Sequence, residues 1–578
     1  MAPPTSAERT SEDSSSPTQP FLEQRIPFRE EFLRPPRSSL SWFIHILAFC
    51  VSLTLGLVAL TMKPSSLQCT HQLSPYSPLI EEGLIKYESK NFDNEFDKPS
   101  NYRGQPSKLT EASWKALWET PAIGVPREKL EVLNKSGPTS LNWFHAPPSP
   151  DHGARDELAA LVEVFHQLHC INTLRLEVHK DSYHDHFGEW PDGSGPGNEA
   201  IKKTHIDHCI ELLRITLMCT SDVTPLLFID DPHAFQGRTP DFNTMHSCRN
   251  FWEIREWVEK MGLSEGSGRT SRHLIQAVTR SDNSDWVLND DIYPRAAQEA
   301  GCLMIAPADA VCIEPPMIMK RLLHDIRHKD GMSPQRHLYT HVDSNGLSTS
   351  PPSFVARTVP WFLQLAFFFT AFGFLAFRYQ TVATDQVCTS RLSSYSPVID
   401  AGIIRYTSYN IAGDFEQPSI YRGRPTNQTE TAWNKLFMAP GINIPETKLP
   451  LLNKSSTASW LRTPKKNGDG YVGYLEVFHQ LHCLHMVRLK IYEKAYEEEF
   501  GYPASQFESQ GTAVTATHID HCLETLRLNV MCTADVTPVM IVADDTAPLG
   551  RYVDFNTMHK CRNFWDIRAW VDQNKVID

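Results

Sequence analysis

His166 and His169 stand three residues apart in EVFHQLHC (163–170), and His205 and His208 repeat that spacing in HIDHC; a cysteine follows each pair directly, Cys170 and Cys209. On an α-helix, residues three and four apart share a face, so each pair can turn two imidazoles and a thiol toward one ion. Two such helices packed together offer four imidazoles to a metal. Imidazole suits copper, zinc and iron. The same runs recur as His479, His482 and Cys483 and as His518, His521 and Cys522, again with 39 residues between the first histidines of the two motifs. A lone His-x-x-His arises by chance, and buried histidines commonly serve only hydrogen bonds. Two motifs per copy, each closed by cysteine, point to a metal centre. A redox metal held by imidazole can activate oxygen and take hydrogen from an unreactive C–H or phenol. Zinc cannot cycle and would leave a structural site. There is no GxGxxG dinucleotide fingerprint and no Ser-His-Asp grammar, so an oxidation would fall to the metal.

The elements that must position these residues read as helices. Leu161, Val164, Phe165, Leu168, Ile171 and Leu174 recur near helical spacing, as do Ile206, Ile210, Leu213 and Leu217, with Thr204 as N-cap and Pro225 beyond the end. Phe251, Ile254, Trp257 and Val258 predict a third amphipathic helix from Cys248, and Leu226–Ile229 a short strand. Asp241, His246 and Arg249 either complete the site or cap that third helix; Tyr102, Arg103 and Gly104 read as a turn. The fold class expected is mainly α with minor β.

The chain is written twice. SPYSPLIEEGLIKY, YRGQP and LNKS return as SSYSPVIDAGIIRY, YRGRP and LNKS 319 residues later, and DFNTMHSCRNFW returns as DFNTMHKCRNFW 313 residues later. Two homologous helical domains follow, each preceded by a single apolar stretch. Ser38–Met62 and Thr358–Phe377 can each form a transmembrane helix, for which about 20 apolar residues suffice. The divisions expected are a disordered cytoplasmic tail (1–37), a span (38–62), a first domain (63–263), a linker (264–357), a second span (358–377) and a second domain (378–578). The net charge of −13, with no long basic block, argues against nucleic acid as a partner.

Arg25, Arg29, Arg34 and Arg37 place the N-terminus in the cytoplasm and the first domain in the secretory lumen, with the protein embedded in the membrane. The sequons at Asn134, Asn427 and Asn453 agree as glycosylation acceptors. In an oxidising lumen Cys170, Cys209, Cys219 and Cys248 are expected to close two disulfides within copy one, in one of three pairings, and Cys483, Cys522, Cys532 and Cys561 two within copy two; metal thiolates are the alternative. One conflict remains. Arg357, Arg336 and Lys329 also precede the second span, so both spans want the same orientation, and only Gly301–Met319, carrying Asp309 and Glu314, lies between them as a third crossing. The reading favoured is two products joined at 264–357.

EVFHQLHC followed by HIDHC-x4-R, behind a single N-terminal span, resembles the UstYa-like family of fungal secondary-metabolite oxidases, and does so in both copies. The resemblance implies oxidative tailoring of a secondary metabolite, such as cyclisation of a ribosomally made peptide in mycotoxin biosynthesis. It implies copper as cofactor, with zinc the alternative, and a peptide or other metabolite as substrate. Carried onto this sequence, the metal residues are His166, His169, His205 and His208, and His479, His482, His518 and His521. Homo- or hetero-oligomers with related oxidases are the protein partners expected. The competing reading is a non-catalytic lumenal module with structural zinc or disulfides alone.

Overall fold

The computed structural model describes residues 37–261 and 354–577, apart from short loop stretches; the tail before Arg37 and most of the expected linker, including Gly301–Met319, lie outside the described residues. The described residues form two units, each taken by itself.

One unit is a helix pair, Arg37–Thr61 and Phe354–Gln380. His45 packs on Trp361 at 4.6 Å and Phe49 on Phe367 at 5.6 Å, and the Gln364 amide donates to the His45 carbonyl at 2.6 Å. Rising numbers meet rising numbers, so the helices run parallel. Trp42–Thr61 is 20 residues long and apolar enough to cross a membrane, whereas the apolar part of the second helix, Trp361–Phe377, is shorter. Among the described residues, only the first expected span reaches the required length.

The other unit holds both histidine-rich copies, built around four long helices: Glu163–Val178 and Glu199–Thr220, and their counterparts Glu476–Ile491 and Thr512–Thr533. Thr204 lies inside its helix rather than at its start, and Leu161 and Val162 belong to the strand Glu157–Val162. Four of that strand's six residues are buried, so its apolar run lacks the alternation that marks a half-exposed strand. The strand Pro225–Asp230 covers the expected Leu226–Ile229.

The sheets are shared between copies. Leu226 pairs with Tyr474 and Leu227 with Gly473, while Val539 pairs with Leu161 and Met540 with Ala160, all antiparallel. Strands this short hold only within a larger sheet, and here each copy supplies the other's neighbour. A single continuous core results, containing Trp114, Leu168 and Phe251 beside Trp433, Leu481 and Phe564.

The cysteine pairing expected within each copy is corrected. Among the described residues there are three disulfides, and all join the copies: Cys69–Cys388, Cys219–Cys561 and Cys248–Cys532. Cys532 and Cys561 are the counterparts of Cys219 and Cys248, so these two bridges exchange under a pseudo-two-fold, and Cys69–Cys388 joins counterparts across it. Cys170, Cys209, Cys483 and Cys522 remain buried free thiols.

Asp241, His246 and Arg249 also differ from expectation. They neither line a metal group nor cap a helix. His246 and Arg249 lie on the strand Asn243–Arg249, paired with Tyr87–Asp93, and the helix starts only at Phe251. Burial alternates strictly along that strand, a period of two that the adjoining helical pattern masks. Asp241 accepts from Lys454 of the other copy at 2.5 Å, and the reciprocal Lys135–Asp554 pair spans 2.6 Å. His246 faces Asp222 at 3.1 Å, and Arg249 donates to Tyr87, Ser74 and the Ala534 carbonyl.

Candidate metal centres

The two motif helices of each copy run antiparallel, so the histidines meet as two rungs rather than converging as four on one point. In copy one His166 faces His208, with Nε2 atoms 3.4 Å apart, while the rings of His169 and His205 lie 5.5 Å apart. In copy two His479 and His521 approach to 3.4 Å between Nε2 atoms, and the His482 and His518 rings to 5.7 Å. A step of three residues along a helix separates the rungs by about 4.5 Å. Cys170 Sγ lies 3.9 Å from His166 Nε2, and Cys483 Sγ 3.6 Å from His479 Nε2. The donor atoms of His166, Cys170 and His208, and of His479, Cys483 and His521, therefore fall within 4.8 Å of one another. Two nitrogens 3.4 Å apart, at metal–nitrogen bonds of about 2.0–2.1 Å, subtend roughly the tetrahedral angle, so this donor set fits a copper or zinc ion. Cys209 and Cys522 are buried free thiols beside Cys170 and Cys483, and burial together with that neighbour pushes the Cys170 and Cys522 thiols up.

Metal binding needs neutral imidazoles. Burial, with neighbouring histidines adding to it, holds His208 and His521 down at about 3 and His169 and His482 at about 4. Two motif histidines shift the other way: burial lowers His479, but Cys483 and Glu476 beside it outweigh burial and hold it at about 10, and a hydrogen bond with Cys209 raises His205. In copy two the outer nitrogens of the close histidine pair have partners that orient the rings. His479 Nδ1 lies 3.0 Å from the Glu476 carboxylate, and His166 Nδ1 3.6 Å from Glu163. His521 Nδ1 donates to the Asn94 carbonyl at 2.9 Å, which leaves Nε2 bare toward His479.

Asn94 belongs to copy one and His521 to copy two, and nothing in the sequence reading placed them together. The Tyr-Arg-Gly run is the turn expected, with Gly104 at φ +86°, but it does more. Arg103 donates to the side chain of Asn94 and to the Glu95 and Phe96 carbonyls, fixing the segment that holds His521. Tyr102 lies under Arg527, the arginine of HIDHC-x4-R in the other copy, at 3.9 Å, and Tyr421 lies under Arg214 at 4.0 Å. The available signal was that YRG recurs unchanged in both copies, which a turn alone does not require.

The pattern described as Mycotoxin biosynthesis protein UstYa matches residues 32–261 and again 347–574. The chain belongs to the UstYa family, in two tandem copies. It is 36% identical over 249 residues to UstYa family oxidase phomYc of Diaporthe leptostromiformis, covering 41% of this chain and 93% of that one. UstYa family oxidase phomYc' of the same organism is 33% identical, covering 41% and 86%. Transacylase cctO of Talaromyces islandicus is 30% identical over 247 residues, covering 38% and 81%. These UstYa-family relatives are thus of one-copy length. No solved structure matches the chain.

Proposed function

We propose that the protein is a metal-dependent, membrane-anchored oxidase that tailors a secondary metabolite, with copper at the His-His-Cys group of each copy. The observation that carries this reading is the pair of equivalent donor groups, each gathered within 4.8 Å on buried or half-buried side chains. The names of most relatives agree; one is named a transacylase, so it is the donor set rather than family membership that argues for redox chemistry. Copper supplies one-electron redox steps with dioxygen as oxidant. In net terms two protons and two electrons would leave the substrate, and dioxygen would take up both to become hydrogen peroxide. The chain's own contribution is to hold His208 and His521 neutral by burial, to fix His479 and His521 through Glu476 and Asn94, and to exclude water with the apolar rings around them. The full-length protein, purified in detergent and loaded with copper, is expected to hold two equivalents that reduce and reoxidise. His166→Ala with His208→Ala should leave one. Two equivalents in that variant would refute the copy-one site, and zinc that resists reduction would favour the structural-module reading.

We further propose that both copies lie in the secretory lumen as two polypeptides. The parallel helix pair and the bridges between copies support one shared compartment. Asp309 and Glu314 would each cost about 2–3 kcal/mol in a third crossing, which argues against an unbroken chain. Asn134 and Asn453 are exposed and should both carry glycan. A denaturing gel without reductant should show one glycosylated species, which reductant resolves into two. A single 65.7 kDa band under reduction would overturn this.

A further inference from the structure

Each histidine cavity is walled by rings from the opposite copy. Over the copy-two imidazoles, Phe242 lies 5.0 Å from the His479 ring and 4.3 Å from His521, and Phe96 lies 4.4 Å from His521. The two phenyls stand edge to face, 5.3 Å apart. Over copy one, Phe415 lies 4.3 Å from His208 and Phe555 4.5 Å from His166. An exposed ring by itself means little. Phe96 and Phe415, at 37% and 41% exposure, are different because their segments are tied down. Arg103 donates to the Phe96 carbonyl at 3.1 Å and Arg422 to the Phe415 carbonyl at 2.6 Å. One segment thus orients an imidazole through Asn94 and, two residues on, covers it with Phe96.

The two cavities are not equivalent. The copy-two cavity encloses about 930 Å³ and continues past Phe96 and Phe242 along Phe228, Tyr474, Phe437 and Phe478. The copy-one cavity encloses about 660 Å³. There Tyr552 and Val553 stand where the copy-two wall has Thr239 and Pro240. A cavity at the upper end of the range for drug-sized ligands has room for more than one side chain. Aromatic walls favour rings laid flat or on edge against them.

We propose that Phe96 and Phe242 of copy one are the substrate-positioning residues of the copy-two site, and that this site takes an apolar, ring-bearing substrate seated against them. The proposal rests on the reading that His479, His482, His518 and His521 form a reaction centre, but the contact itself needs no metal.

The test uses the full-length protein in detergent, with and without copper, and two fluorescein-labelled N-acetyl tetrapeptides, one with a central tyrosine and the other with leucine in its place. Binding is read by anisotropy and copper by mass spectrometry. The tyrosine peptide should bind the parent more tightly. Phe96→Leu with Phe242→Leu keeps apolar volume and removes both rings; it should weaken the tyrosine peptide roughly tenfold, with the leucine peptide changed less than about twofold. Tyr502→Leu, which removes an exposed ring that lines neither cavity, should leave the tyrosine peptide within about twofold of the parent. Copper content and the three disulfides should match the parent in both variants, which shows that the fold and the metal group survive. Equal weakening by both variants, no weakening by the Phe96 and Phe242 pair, or equal loss of both peptides would overturn the proposal. A parent that takes up no copper but shows the predicted peptide pattern would remove the oxidase reading and leave the wall standing.

Discussion

His521→Ala is expected to lower kcat/KM at the copy-two site by roughly a thousandfold, the several kcal/mol that a bound metal supplies to an oxidation. His521 has two tasks that no neighbour can take over. Its Nε2 faces His479 Nε2 at 3.4 Å, and its Nδ1 is tied to the Asn94 carbonyl at 2.9 Å. Removing the ring leaves His479 and Cys483 as the remaining donors of the compact group. Glu476→Gln should be milder, about 10- to 100-fold, because it keeps a polar group against His479 while removing the carboxylate charge that raises the His479 pKa and loosening the ring's orientation. The measurement is the rate of two-hydrogen mass loss in the substrate, alongside copper content. A His521→Ala protein that keeps more than about a tenth of parental kcat/KM would show that this rung does not hold the reacting metal.

Copy one expressed alone, from Lys63 to Met261, is expected never to appear as a folded monomer. Alone, the strand Pro225–Asp230 loses its partner Gly470–Leu475, and the strand Glu157–Val162 loses Pro538–Ala543. Asp241 is left without Lys454, and an uncompensated buried charge costs about 3–5 kcal/mol. Cys69, Cys219 and Cys248 lose bridges worth about 2–5 kcal/mol each. Against a net stability of about 5–15 kcal/mol, these losses leave nothing to hold a single copy together. Light scattering coupled to size exclusion, with near-ultraviolet circular dichroism, should find only unfolded chain or self-paired dimer. Co-expression with copy two should restore the folded pair, and a folded monomer would contradict the shared sheets.

The motif helices were legible because two independent signals coincide in them, apolar residues at helical spacing and histidines three apart. What escaped was everything whose partner is remote in sequence. Cys219 looks locally like a match for Cys170 or Cys209, yet its partner Cys561 is 342 residues away. The strand before each motif helix continues that helix's apolar run, and only its pairing with strands remote in sequence, in its own copy and in the other, marks it as extended. His246 and Arg249 were misplaced because a period of two over seven residues is a weak signal beside an eleven-residue helix. The rungs were half visible: spacing puts two histidines on one face, but only the antiparallel packing decides which of them meet. The wall of Phe96, Phe242, Phe415 and Phe555 was beyond reach from one copy's sequence, since none of these rings covers the histidines that it accompanies in the chain.

That exchange of walls has a genetic consequence. Phe96 and His166 are encoded in the same half yet serve different centres, whereas Phe96 and His521 are encoded in different halves and serve one. Lesions at Phe96 and at His521 should therefore disable the same centre, although they lie in opposite repeats. A half that lost all four of its own histidines would still be retained by selection for what it contributes to its neighbour, an inert repeat kept as the other's substrate wall.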